Sequence, residues 1–133
     1  MIKKDKDIFI KRAKYTPEVI LDRKKRYLSL KGVSYPEDAA KFYAPILKEI
    51  QDYVIDNNNV KNNTTIEVSL DYFNTSTAGS LYKIFHILNA NKDMDIDLKW
   101  YYQNGDSDLL EAGKDFEYIF KDIKFQFHEI LIK

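Results

Sequence analysis

Thr64-Thr65-Ile66-Glu67-Val68-Ser69-Leu70-Asp71-Tyr72-Phe73 runs through Asn74-Thr75-Ser76-Thr77-Ala78-Gly79-Ser80 into Leu81-Tyr82-Lys83-Ile84-Phe85-His86-Ile87-Leu88-Asn89-Ala90. Ile66, Val68, Leu70 and Tyr72 alternate with Glu67, Ser69 and Asp71, the period of two expected of a strand with one buried face. Leu81, Ile84, Phe85 and Leu88 then recur at helical spacing, so the chain changes from strand to helix between Phe73 and Ala78. The hydroxyls of Thr75, Ser76 and Thr77 fall at that change.

Two readings of those hydroxyls stand side by side. Asn, Ser and Thr are preferred helix N-caps, so the cluster can do no more than start the helix. The first turn of a helix also carries unpaired N–H groups and the positive end of the macrodipole, which accommodate an anion. A phosphate on Thr75, Ser76 or Thr77 would add about −1.5 to −2 charge at a partner-facing edge and switch docking on or off.

The flanking sequence extends the same alternation of elements. Thr16 to Leu21 and Tyr27 to Val33 read as strands joined by Asp22-Arg23-Lys24-Lys25-Arg26, a basic cluster expected to be a solvated hairpin tip. Ser34 to Asn57 reads as a helix, with Ser34 and Glu37 spaced as a capping box and Pro36 inside its first turn. Tyr43, Ile46, Leu47, Ile50 and Val54 form its inner stripe, and Pro45 predicts a kink or a short break. Met94, Ile96, Leu98, Trp100 and Tyr102 mark the next strand. Asp108 and Glu111 space as a second capping box for a helix to Lys121, whose inner stripe is Leu109, Gly113, Phe116 and Phe120. Ile123, Phe125 and Phe127 mark the last strand, and the tail from Ile130 to Lys133 has no assignment.

The expected order is β-β-α-β-α-β-α-β. Strands joined through helices are parallel neighbours by right-handed crossovers. The clean alternation, with Glu67, Asp71, Asp95, Asp97, Lys99 and Lys124 at polar positions, argues that one sheet face lies open to water. The fold expected is therefore a two-layer α/β domain: a mixed, mainly parallel sheet of about five strands with helices on one face. Residues 1–15 read as an N-terminal extension and 16–133 as a single domain, with Ile8-Phe9-Ile10 able to add a short strand or pack at an edge.

Composition removes several functional classes. Lys plus Arg equals Asp plus Glu at 21 each, so no global field gathers nucleic acid or an anionic membrane. There is no cysteine, which excludes disulfides and thiolate metal sites. Met1 to Lys14 lacks the apolar core of a signal peptide, and the protein is expected in the cytoplasm. Asp93, Asp95 and Asp97 suggest a calcium loop, but Leu98 and Asn104 stand where Gly and Glu are required, so no metal is expected. His86 and His128 are the only imidazoles, and no phosphate loop or nucleophile elbow accompanies them. No cofactor and no catalytic residue is assigned.

Asp71-Tyr72-Phe73-Asn74-Thr75-Ser76, behind its alternating strand, resembles the SiaC family of bacterial regulatory phosphoproteins, the group linked to biofilm control. Gly32-Val33-Ser34-Tyr35-Pro36-Glu37, Leu98-Lys99-Trp100-Tyr101-Tyr102 and the Asp-x-Asp-x-x-Glu-x-Gly pattern from Asp106 agree with it, in order, from about Thr16 to Phe127. The resemblance implies a STAS-like sandwich and a non-catalytic switch whose phosphoacceptor is Thr75. Asn74, Ser76 and Thr77 are then expected to line the partner contact. It further implies a cognate serine/threonine kinase, a metal-dependent phosphatase, and a signalling output protein such as a diguanylate cyclase bound by the unmodified form. The alternative is a constitutive scaffold that uses the open sheet face, with Tyr101 as an anchor.

Overall fold

The computed structural model describes residues 7–131. Residues 1–6 of the expected extension and the last two residues of the tail lie outside the described residues. The elements are β1 (Ile8–Ile10), β2 (Glu18–Asp22), β3 (Tyr27–Ser34), α1 (Ala39–Asp56), β4 (Asn62–Phe73), α2 (Thr75–Asn89), β5 (Met94–Gln103), α3 (Ser107–Ile119) and β6 (Ile123–Ile130). The strands form one sheet in chain order, β1-β2-β3-β4-β5-β6. β1, β2 and β3 pair antiparallel, and β3 to β6 pair parallel.

The parallel half is the expected one, because each step from β3 to β6 passes through a helix. The sheet has six strands rather than about five: Ile8–Ile10, read as part of an extension, pairs with Leu21, Ile20 and Val19 of β2. Residue 8 is buried and Phe9 exposed, so this short edge obeys the same alternation as the rest.

Register explains the layering. Leu28, Ile66, Leu98 and Phe125 lie side by side across β3 to β6, and Leu30, Val68, Trp100 and Phe127 form the next row. These rows meet Tyr43, Ile46 and Ile50 of α1 and Leu81, Ile84, Phe85 and Leu88 of α2 in the core. The inner stripe of α2 includes Thr77, four residues before Leu81 and fully buried. Gly32 adopts φ +121°, beside the register shift that separates it from Val33. A side chain there would be strained in backbone and would meet the Arg12 guanidinium, so Gly serves a bulge near the end of β3.

In both α1 and α3 the cap is an aspartate other than the residue the spacing suggests. α1 begins at Ala39 rather than Ser34, and Asp38 accepts from the Lys41 N–H at 3.1 Å. Ser34 instead ends β3, so the Ser34–Glu37 box does not form. α3 is capped by Asp106, which accepts from Leu109 N–H at 2.9 Å, and Asp108 stands inside the first turn where a negative charge suits the dipole. α1 runs unbroken past Pro45, which is exposed. The basic hairpin is not wholly solvated either: the Arg23 side chain is 8 % exposed and folds back on α1, 3.0 Å from Glu49 and 3.5 Å from Asp56.

Candidate functional site

The C-terminal ends of β3, β4 and β5 and the N-terminal ends of all three helices lie at one edge, as right-handed crossovers require. Asn74 caps α2 there, accepting from the Thr77 N–H at 2.9 Å in an extended backbone conformation. Its carbonyl accepts from Ala78 N–H at 3.0 Å and its own N–H donates to Ser34 O at 3.2 Å. Capping and presentation are thus divided: Asn74 caps, Thr75 is the first helical residue, and Thr75 and Ser76 are exposed.

Thr77 is elsewhere. It is fully buried, and its hydroxyl donates to Ser34 O at 3.0 Å and lies 2.8 Å from Ser34 Oγ, which in turn lies 2.8 Å from the Tyr43 hydroxyl. This corrects the expectation that Thr77 meets a partner, since its side chain faces the interior of the domain. Burial pushes the Tyr43 hydroxyl up to about 12, the hydrogen bond to Ser34 opposing it only in part, so Tyr43 stays protonated at neutral pH. Sequence reasoning missed Ser34 and Tyr43 as parts of this site. The available signal was the spacing of Thr77 from Leu81, Ile84 and Leu88, which puts it on the apolar stripe.

Two open grooves flank the exposed pair. One, of about 360 Å³, runs past Ser76 between Glu37 and Asp38 on one wall and Lys83 on the other. The second, of about 340 Å³, is bounded by Asp71, Tyr72, Asp106 and Asp108, where β4 separates from β5 beyond the Val68–Trp100 pair. Tyr15, Tyr35 and Tyr72 make an exposed edge-to-face ladder beside it, with ring centroids 5.1 and 5.5 Å apart. This edge offers carboxylates, aromatic rings and two exposed hydroxyls. Among the described residues no group of three or more His, Cys, Asp or Glu could hold a metal ion.

On the open sheet face Tyr101 is half-buried and stacks on His128 at 5.2 Å, while His86, on α2, stacks on Tyr82 at 6.2 Å. The same face carries Glu67, which accepts from the Tyr27 hydroxyl at 2.8 Å and lies 3.3 Å from Lys31 Nζ. Desolvation alone would raise the Glu67 carboxyl, but hydrogen bonds from Tyr27 and Lys31, with the charges of Lys31 and Lys99, outweigh it and hold the group below its ordinary value. A depressed carboxyl stabilises the fold above its unfolded pKa, and that contribution is lost as pH falls through the folded value. Glu67→Gln is therefore expected to lower stability at pH 7 and to flatten the loss of stability below pH 4.5, read by denaturant melts across that range. Parallel wild-type and variant pH curves would remove Glu67 from the acid response.

A mixed six-stranded sheet covered by helices on one face defines a small two-layer α/β domain, with an exposed Thr at the head of its second helix. The chain belongs to the SiaC family: the model of the SiaC family regulatory phosphoproteins matches residues 10–130. It is similar to apo-SiaC from Pseudomonas aeruginosa, with a TM-score of 0.74 and 20 % identity over 93 % of this chain and 98 % of that one. A chain in the crystal structure of the diguanylate cyclase SiaD in complex with its activator SiaC, also from Pseudomonas aeruginosa, matches with a TM-score of 0.78. That match is 22 % identical and covers 95 % of this chain and all of the other. An uncharacterized protein of Pseudomonas aeruginosa strain UCBPP-PA14 is 23 % identical over 123 residues, 91 % of this chain and 93 % of its own length. The family expected from Asp71 to Ser76 and the three further stretches is thus shown. No helix among the described residues is long and apolar enough to cross a membrane.

Proposed function

We propose that this protein is a non-catalytic phospho-switch: unmodified, it binds a diguanylate cyclase that drives biofilm signalling, and phosphorylation of Thr75 releases that partner. The observation that carries the reading is the position of Thr75, exposed as the first residue of α2 between a capping Asn74 and a buried Thr77. The choice of output rests on the fold relative SiaC, which is the activator of the cyclase SiaD in Pseudomonas aeruginosa.

The chemistry belongs to the partners. A serine/threonine kinase moves the γ-phosphoryl group of ATP to the Thr75 oxygen; the hydroxyl proton passes to a base of the kinase and ADP leaves. A metal-dependent phosphatase hydrolyses the ester, restoring threonine and releasing inorganic phosphate. The kinase step draws on ATP, which supports a cytoplasmic location. Intact-mass measurement of protein from its native host tests the reading: a partly occupied adduct of one phosphate, mapped to Thr75, is expected. Unmodified protein under every growth condition would favour the scaffold reading, in which Tyr101, stacked on His128, anchors a constant partner on the open sheet face.

A further inference from the structure

One arrangement of the buried hydroxyls under the switch gives every proton an acceptor. Each of Tyr43, Ser34 and Thr77 has a single O–H to donate. With the Thr77 proton on Ser34 O, the 2.8 Å contact between Ser34 Oγ and Thr77 Oγ1 uses the Ser34 proton. Ser34 Oγ then accepts the proton of Tyr43 at 2.8 Å. The chain runs from α1 through the end of β3 into the first turn of α2, and all three side chains are fully buried.

Ser34 also takes the other end of the turn, since its carbonyl accepts from Asn74 N–H at 3.2 Å as well as from the Thr77 hydroxyl. One residue of β3 therefore anchors positions 74 and 77, and the two residues between them are the exposed ones. We propose that Ser34, Tyr43 and Thr77 are positioning residues of the switch: the Ser34 carbonyl holds both ends of the turn and the hydroxyl chain seats Thr77 in the interior, so that Thr75 and Ser76 are presented and Thr77 is withheld from modification. This rests on the reading of Thr75 as the acceptor, and it adds why that hydroxyl, rather than its neighbour two residues on, is the one available. Three oxygen-bearing side chains in a row look equivalent in sequence; the clamp makes them unequal.

Hydrogen exchange of the full-length protein, read by mass spectrometry over residues 72–80, tests the clamp without a partner. Thr77→Val keeps the side-chain shape and removes the hydroxyl. It is expected to speed exchange at positions 77 and 78 about tenfold or more, leaving β4 and β5 unchanged. Thr77→Ser restores the hydroxyl and is expected to stay within about threefold of wild type. Equal protection in wild type and Thr77→Val would overturn the proposal, as would loss of protection spread evenly through the domain or a Thr77→Ser variant as open as Thr77→Val. Absence of phosphate from wild type would defeat the switch reading, whereas the exchange arm would still decide the clamp.

Discussion

Thr75→Asp is expected to weaken binding to the proposed cyclase partner by about 100-fold or more, while Thr75→Ala binds within a few-fold of wild type. The asymmetry follows from what each change leaves at the head of α2. Alanine removes one exposed hydroxyl, which water or the partner solvates at small cost either way. A carboxylate in the same place must be stripped of water or paired when a partner surface closes over it, and the walls on both sides already carry Glu37, Asp38, Asp71, Asp106 and Asp108. Lys83 lines the groove beside Ser76 with Glu37 and Asp38, and Arg12 lies 3.7 Å from Asp71. About 3 kcal/mol of uncompensated charge burial corresponds to a factor of about 100, enough to end a micromolar complex. Isothermal titration with the purified cyclase checks it; equal affinity of the two variants would move the switch away from Thr75.

The second large effect concerns the interior. Gly113 lies in the middle of α3, where Ala is otherwise the better helix former by nearly 1 kcal/mol, so an open site would gain from the substitution. Here a Cβ would sit 2.7 Å from Trp100 Cε2 and Nε1 and 2.8 Å from Phe127 Cε1. Trp100 is fully buried and its indole N–H donates to Leu109 O at 3.0 Å, so the ring cannot step aside without losing the bond that seats α3 on β5. Gly113→Ala is therefore expected to destabilise the domain by about 1–3 kcal/mol despite its helix propensity. Urea melts check the sign: a stabilised Gly113→Ala protein would mean that α3 does not approach β5 this closely.

The sequence made some of this legible and hid the rest for identifiable reasons. Strand β4, helix α2 and the parallel order of β3 to β6 were readable because each buries one face, and burial writes its period into the residues. The close approach at Gly113 was readable too, as a gap in an otherwise apolar stripe. Ser34 was misread as a helix cap because its spacing from Glu37 imitates a capping box, yet the chain stays extended through it and Asp38 takes the cap. Thr77 was grouped with Thr75 and Ser76 by its hydroxyl, when its place on the stripe with Leu81 and Ile84 already marked it as interior. Arg23 was read as solvent-facing because local charge density says nothing of Glu49 and Asp56, 26 and 33 positions later, which draw it onto α1. The sixth strand, Ile8–Ile10, was foreseen only as one of two options, a short strand or edge packing, because three residues are too short to show a period.

The most direct measurement compares wild-type protein carrying the proposed phosphate, before and after complete dephosphorylation, for binding to the proposed cyclase partner, with Thr75→Ala carried through both treatments. The account predicts that wild type binds only after the phosphate is removed and that Thr75→Ala binds equally in both. Binding of phosphorylated wild type as tight as that of the dephosphorylated protein would contradict it.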